Sequence, residues 1–244
     1  KFGVSIRAAK SLIKKCNDSS SLNLVGLTCH IGSQITELNS FEDAAKQALD
    51  LLIELDKLNI KIDFIDMGGG LGVNYVGEET PQPFELIQCY ENIFEGRNET
   101  LILEPGRSIS ANAGIMLAKV EYKKNNFIIT NAAMNDLLRP ALYNAHHDIW
   151  PVVKNDNPVS NVNVVGPICE TGDFLAKDIN IAASENDLLA VKTVGAYGSV
   201  MSSNYNSRPR AAEVLVDKKN FYLIRKREDN SSLTSLEEGL DDQI

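Results

Sequence analysis

Three short motifs, each closing an apolar run, constrain this chain more than anything else in it. They are His30-Ile31-Gly32-Ser33-Gln34, Gly68-Gly69-Gly70-Leu71-Gly72 and Glu104-Pro105-Gly106-Arg107. The runs before them, Leu22 to Thr28, Ile62 to Met67 and Leu101 to Leu103, are rich in Val, Ile and Leu and read as short buried strands. Between the first two motifs, Phe41 to Leu58 repeats its apolar residues at helical spacing, and Phe84 to Phe94 does so more weakly before the third. Ile6 to Cys16 also reads as a helix. Such strand-helix repetition builds a parallel sheet or barrel with crossover helices, whose chemistry sits in loops at the carboxyl ends of the strands. All three motifs fall at such ends, so one shared site is expected there.

After residue 118 the texture changes. Met116 to Tyr122, Phe127 to Thr130, Val162 to Val165, Asp187 to Val191, Glu213 to Val216 and Phe221 to Ile224 are short, turn-bounded and lack long helices between them. They predict an antiparallel β domain over 119–244 following an α/β unit over 1–118. Leu233, Leu236 and Leu240 are spaced for a weak terminal helix. With 244 residues, 43% of them hydrophobic, the chain can build one large core or two ordinary ones. A net charge of -9 without a basic stripe argues against nucleic acid as a partner. Four scattered cysteines with no CxxC pattern suggest a reducing compartment, and no metal site is expected. No apolar stretch approaches the roughly 18 residues of a membrane span, and no signal peptide is visible, so the chain reads as cytoplasmic.

The chain opens on Lys1-Phe2-Gly3-Val4-Ser5 without Met, and Phe2 to Val4 resembles the end of a strand entering a crossover. About four strand-helix units precede Arg107, whereas a closed barrel of this type needs eight. The expectation is a piece starting mid-domain; a small open sheet complete in itself is the alternative.

A triple glycine at a strand end lets backbone amides approach an anion closely, or simply makes a turn. Ser33 can donate a hydroxyl to the same anion, and Gly106 and Arg107 add an amide and a positive charge. Glu104 ends an apolar strand and is expected to be buried, where a carboxylate needs a partner. That partner is either Arg107 or a protonated heteroaromatic nitrogen, whose ring then becomes a better electron sink. His30 offers an imidazole suited to stacking on such a ring or to proton transfer, or is a packed core residue. Together the cradle, the carboxylate and the stackable ring outline pyridoxal phosphate. In the second half, Arg139 is a fork suited to a carboxylate, Cys169 and Glu170 share a glycine-bounded loop, and Tyr197 stands in the turn Gly195-Ala196-Tyr197-Gly198-Ser199.

The ordered motifs HIGSQ, GGGLG, EPGR, MNDLLRPALY, GPICETGD and GAYGSVMSSNYNSRPRAAEVLV resemble those of the diaminopimelate decarboxylases, of the alanine-racemase-like, fold-type III pyridoxal-phosphate family. The resemblance runs from Lys1 to about residue 240. It implies the C-terminal half of a TIM-like (β/α)8 barrel followed by a β-sandwich or Greek-key domain. It also implies pyridoxal 5'-phosphate as cofactor and the decarboxylation of meso-2,6-diaminopimelate to L-lysine. By the same resemblance, His30 stacks on the cofactor ring, Glu104 pairs with its nitrogen, and Ser33, Gly70, Gly106 and Arg107 bind its phosphate, with Tyr197 alongside. Arg107, Arg139, Tyr143 and Tyr197 contact substrate, and Glu170 recognises its far amino group. Cys169 returns a proton after carbon dioxide leaves. Cys169 and Glu170 reach the partner's site, so the working unit implied is a homodimer.

Ornithine decarboxylases of this fold place an acid just after the tyrosine matching Tyr143, where this chain has Asn144. Arg139 suits a carboxylate-bearing tail, which favours diaminopimelate over ornithine or arginine, with carboxynorspermidine more distant. The family's Tyr-Ala-x-Lys-Ala segment, which anchors the cofactor, does not occur in these 244 residues, so the chain alone is expected to be inactive. Asn131 stands where the family usually has Asp, and a structural role in its turn is expected. A non-catalytic regulator of the antizyme-inhibitor kind is a rival reading, opposed by the retention of His30, Glu104, Arg139 and Cys169. A free-standing cofactor-binding barrel is another, opposed by everything after residue 118.

Overall fold

The computed structural model describes residues 2–154 and 156–239. The chain divides into two units, Lys1–Ile109 and Ser110–Ile244. In the first, strands β1 (Gly26–Thr28), β2 (Phe64–Asp66) and β3 (Thr100–Ile102) form a parallel sheet in that order. Only the last three residues of the expected first strand pair. A Cβ at Gly26 would lie 2.4 Å from the Phe64 ring on the neighbouring strand, so a larger residue there requires that ring to move.

Helices α1 (Ile6–Asn17), α2 (Leu38–Lys57) and α3 (Pro83–Ile93) alternate with these strands. On α2, Phe41, Ala45, Leu52 and Leu55 are buried, which is one apolar stripe at helical spacing. Leu86 and Tyr90 do the same on α3, and the Phe41 and Tyr90 rings meet edge to face with centroids 6.5 Å apart. Burial pushes the Tyr90 hydroxyl far above its usual range. The ends are chemically marked as well. Ser5 accepts from the Ala8 amide at the start of α1, and Pro83 opens α3 while the Gln82 amide donates to Glu85 at 2.6 Å. Asn59, at φ 55°, stops α2 by turning left-handed, with the Ile60 amide folded back onto the Leu55 carbonyl at 3.0 Å.

Between α3 and β3, Arg97 bridges Asp56 at 2.5 Å and also pairs with Glu99. The two ion pairs tie the end of α2 to the segment leading into β3.

In the second unit, β4 (Met116–Lys124) and β5 (Phe127–Thr130) are followed by a short helix, α5 (Arg139–Tyr143); helix α4 (Arg107–Ser110) precedes them at the unit boundary. Next come β6 (Ile149–Pro151), β7 (Ser160–Val165), β8 (Phe174–Ile181) and β9 (Leu188–Val191). They make one six-stranded sheet ordered β6-β9-β4-β5-β7-β8. Its two outer strands, β6 and β8, also touch, so the sheet is nearly closed on itself. Ala118, Val120, Ile128, Leu137, Val162, Val164, Leu175, Leu189 and Val191 fill its interior. The expected antiparallel pairing needs one correction: β5 and β7 run parallel, because the long excursion through α5 and β6 brings the chain back in the same direction. Strands β6 and β8 were not anticipated, since Asp and Lys interrupt the apolar run of β8 and β6 has only three residues.

Two further strands, β10 (Glu213–Asp217) and β11 (Asn220–Arg225), form a separate antiparallel hairpin whose apolar side chains are exposed on both faces. Asp229 caps α6 (Asn230–Thr234), accepting from the Ser231 and Ser232 hydroxyls and the Ser232 amide. Those donors hold its carboxyl down at about 2. The helix is shorter than expected: Leu233 is inside it, Leu236 follows it, and Leu240 lies outside the described residues. The Asn131 side chain accepts from the Lys119 amide at 2.8 Å and its carbonyl accepts from Arg208 at 2.6 Å, a structural role.

Arg97 holds the Glu99 carboxyl below its ordinary value of 4.5, mainly through their hydrogen bond. The stabilisation is therefore complete above the unfolded-state value and is lost as pH falls through the lower folded-state value. Glu99→Gln is expected to lower the melting temperature at pH 7 and to flatten its decline on acidification below 4.5. Melts across that range read both effects.

Candidate active site

The first unit brings its three motifs together. Beyond β1 and β2 the backbones continue to pair, with the Cys29 amide donating to the Asp66 carbonyl and the Glu104 amide to the Gly68 carbonyl at 2.8 Å. The Ile35 amide reaches the Gly70 carbonyl at 3.0 Å. The triple glycine thus lies wedged between two neighbouring loops. A Cβ on Gly69 would stand 2.2 Å from the Glu104 carbonyl oxygen, and one on Gly70 would stand 2.4 Å from that of Gly32. Gly69 has an ordinary φ, so its requirement is purely one of space.

His30 follows β1, exposed, with Nδ1 accepting from the Gly69 amide at 3.3 Å. That contact turns the ring to a set direction. Arg107 donates to the Ser33 hydroxyl at 3.1 Å and to the Tyr75 hydroxyl at 2.9 Å. One cation, two hydroxyls and the amides of a glycine loop therefore share one end of the sheet. This is the donor set that a phosphate monoester needs, and Gly106 has open space where a side chain would stand.

Glu104 departs from expectation. Among the described residues it is exposed rather than buried, two positions beyond the end of β3. The buried carboxylate here is Asp66, which ends β2 and accepts from the Gly68 amide at 2.8 Å. Asp66 was missed, although an acid within the apolar run Ile62 to Met67, which also holds Asp63, was a visible signal. Burial first, then the Asp66 charge, pushes the neighbouring Cys29 thiol up.

The remaining expected residues lie on the second unit. Arg139 opens α5 and is buried, with one guanidinium nitrogen 2.8 Å from His147 Nε2; Tyr143, one turn on, is exposed. Cys169 and Glu170 are exposed on the loop between β7 and β8. Its shape is set by Asp173, whose two carboxylate oxygens accept from the Met134 amide at 2.7 Å and the Ile168 amide at 2.8 Å. Glu170 in turn accepts from the Tyr205 hydroxyl at 2.5 Å, which pushes that phenol up. Asp173, Tyr205 and His147 were not singled out in the sequence, since each acts through a partner tens of residues away or across a turn. Tyr197 is held at φ 59°, a left-handed conformation that costs an aromatic residue and that clusters at functional loops. Among the described residues no group of three His, Cys, Asp or Glu side chains is placed to hold a metal ion.

Residues 1–111 match the family model described as pyridoxal-dependent decarboxylase, pyridoxal binding domain. Diaminopimelate decarboxylase of Pseudomonas aeruginosa is 49% identical over 232 residues, covering 93% of this chain and 56% of that protein. The Vibrio cholerae enzyme of the same name is 47% identical, covering 98% of this chain and 59% of its own length. The chain is thus similar to pyridoxal-dependent decarboxylases over nearly its whole length. The family resemblance extends to solved structures: the crystal structure of Helicobacter pylori diaminopimelate decarboxylase complexed with L-lysine is 39% identical with a TM-score of 0.92, covering 100% of this chain and 61% of that one. The chain spans somewhat over half the length of the decarboxylases it matches.

Gly69→Ala is expected to destabilise the first unit by about 1–3 kcal/mol, because the added carbon meets backbone that cannot rotate away. Gly106→Ala, with nothing within 4 Å of the new carbon, is the matched control and should leave the melting temperature unchanged.

Proposed function

We propose that this chain forms the greater part of a diaminopimelate decarboxylase, which converts meso-2,6-diaminopimelate to L-lysine and carbon dioxide with pyridoxal phosphate. The observation that carries the proposal is the convergence of Ser33 and Arg107 beside the His30–Gly69 contact at the ends of three parallel strands. Many proteins bind anions; the named relatives, matched over nearly the whole chain, select this chemistry from among them.

The residues present fit the cofactor. Arg107, Ser33 and the amides around Gly70 and Gly106 would hold its phosphate, His30 would pack against its ring, and Glu104 would keep a proton on its ring nitrogen. Pyridoxal phosphate, when bound, supplies the sink for the electron pair that carbon dioxide leaves behind. The chain's own groups do the rest. Arg139 and Tyr143 take a substrate carboxylate, Arg139 as a planar fork, and Arg107 and Tyr197 contact substrate at the cofactor. Glu170 accepts from the far ammonium, its carboxylate held by Tyr205. Cys169, exposed on a loop pinned by Asp173, gives its thiol proton to the carbon that has lost carbon dioxide.

The same reading takes residues 1–118 as part of the C-terminal half of a (β/α)8 barrel and 119–244 as a β-sandwich or Greek-key domain. The parallel register of β1-β2-β3 supports the first, and the nearly closed six-stranded sheet supports the second. The working unit is a homodimer whose partner receives Cys169 and Glu170, which fits their exposure. Four free cysteines suit a reducing cytoplasm, and among the described residues no helix is long and apolar enough to cross a membrane.

The test is to supply meso-diaminopimelate, ornithine, arginine and carboxynorspermidine separately to the intact protein with pyridoxal phosphate, and to measure carbon dioxide. Release from meso-diaminopimelate with matching L-lysine is expected; release from another of the four and not from diaminopimelate overturns the substrate. Cys169→Ala should lower kcat by about 10²-fold or more, the usual worth of a positioned proton donor, with little change in KM.

A further inference from the structure

The mechanism leaves one buried imidazole without a role. His147 is fully enclosed, at 1% exposure, and both its nitrogens are engaged. Nε2 lies 2.8 Å from a terminal nitrogen of Arg139, and Nδ1 lies 2.8 Å from the Lys192 carbonyl oxygen. The chemistry of the two neighbours determines the state of the ring. A carbonyl only accepts, so Nδ1 carries the proton; a guanidinium only donates, so Nε2 is bare. Neutral imidazole with its proton on Nδ1 is the one form that satisfies both contacts.

The backbone is arranged to make this meeting. Asn144, at φ 51°, ends α5 after a turn and a half by going left-handed, and the Ala145 amide returns to the Arg139 carbonyl at 3.4 Å. The chain doubles back, so His147 comes to lie against Arg139 before β6 begins. On the far side, β6 pairs with β9 through Ile149 and Val191, and the Lys192 amide donates to the Asp148 carbonyl at 2.9 Å. Lys192, the residue directly after β9, therefore anchors the ring from a point tied to the sheet.

A guanidinium recognises a carboxylate through a planar fork, and fixing one of its nitrogens restricts the plane of the others. Arg139 sits on a helix of only five residues, which by itself orients a long side chain poorly. We propose that His147 is a positioning residue for Arg139, holding the guanidinium in the plane that receives the substrate's carboxylate. The inference rests on the reading of Arg139 given under Proposed function. Selectivity for a dicarboxylate substrate then depends on a residue that never touches it.

Two substitutions separate this role from simple core filling. His147→Asn keeps an N–H near Nδ1 for the Lys192 carbonyl but ends short of Arg139. His147→Gln reaches Arg139 with an acceptor oxygen and gives up the Lys192 anchor. In the intact protein loaded with pyridoxal phosphate, H147N is expected to raise KM for meso-diaminopimelate about ten- to a hundredfold, the worth of a hydrogen bond to a charged group, with kcat within about threefold. H147Q should stay within about threefold of the parent KM even where its melting temperature falls as far as that of H147N. Parent-like KM in H147N, or equal losses of KM, kcat and melting temperature in both variants, overturns the proposal. Arg139→Gln is the reference. If R139Q raises KM and H147N does not, only the role of His147 fails; if R139Q leaves KM unchanged, the reading of Arg139 fails and takes the inference with it.

Discussion

The closeness of three backbones at the end of the parallel sheet governs the first unit. Gly69 approaches the Glu104 carbonyl and Gly70 that of Gly32, at separations that leave no room for a Cβ. With the loops so near, hydrogen bonds continue past the last strand residues, from Cys29 to Asp66 and from Glu104 to Gly68. His30, Ser33, Glu104 and Arg107 inherit their places from that seam. The glycines are thus required twice: for space between the loops, and for amides that no side chain covers. Asp66 completes the arrangement from beneath by holding the Gly68 amide, which fixes where the glycine loop leaves β2.

The second unit achieves order by other means. Its loops are long, and buried polar side chains join them. Asp173 links its own loop to Met134, Asn135 accepts from Arg208 at 2.9 Å and donates to the Ser203 carbonyl at 3.2 Å, and Arg208 continues to the Asn131 carbonyl. Asp173 and Asn135 are buried, and such groups are costly to bury unless their partners are present. The network therefore tends to be complete or to fail as a whole, and the Cys169–Glu170 loop is only as well placed as its most distant member.

Much of this was legible in the sequence, and for identifiable reasons. The helices α2 and α3 declared themselves because Phe41, Ala45, Leu52 and Leu55, and Leu86 and Tyr90, recur on one face. The strand ends were visible because glycine, serine and charge follow directly on apolar runs. What stayed hidden depended on partners far along the chain. Nothing near Phe127 to Thr130 indicates that it will pair in parallel with Val162 to Val165, because direction is decided by the intervening path. The exposure of Glu104 among the described residues is likewise not encoded by the apolar run that precedes it. The significance of His147 emerges only when Lys192, 45 residues on, supplies the carbonyl for its other nitrogen.

The β10–β11 hairpin has a bearing on how the chain behaves in bulk solution. Val214, Leu215, Val216, Phe221, Tyr222, Leu223 and Ile224 all stand in water, and within the described residues the ribbon has no third strand. With apolar groups on both faces, alternation gives no preference for which side should be covered, so many encounters are equally adhesive. The negative charge of the chain opposes self-association, but only at distances the salt of the medium allows, about 8 Å at physiological ionic strength. Among the described residues this hairpin is the adhesive element: raising ionic strength screens the repulsion and leaves the ribbon to act.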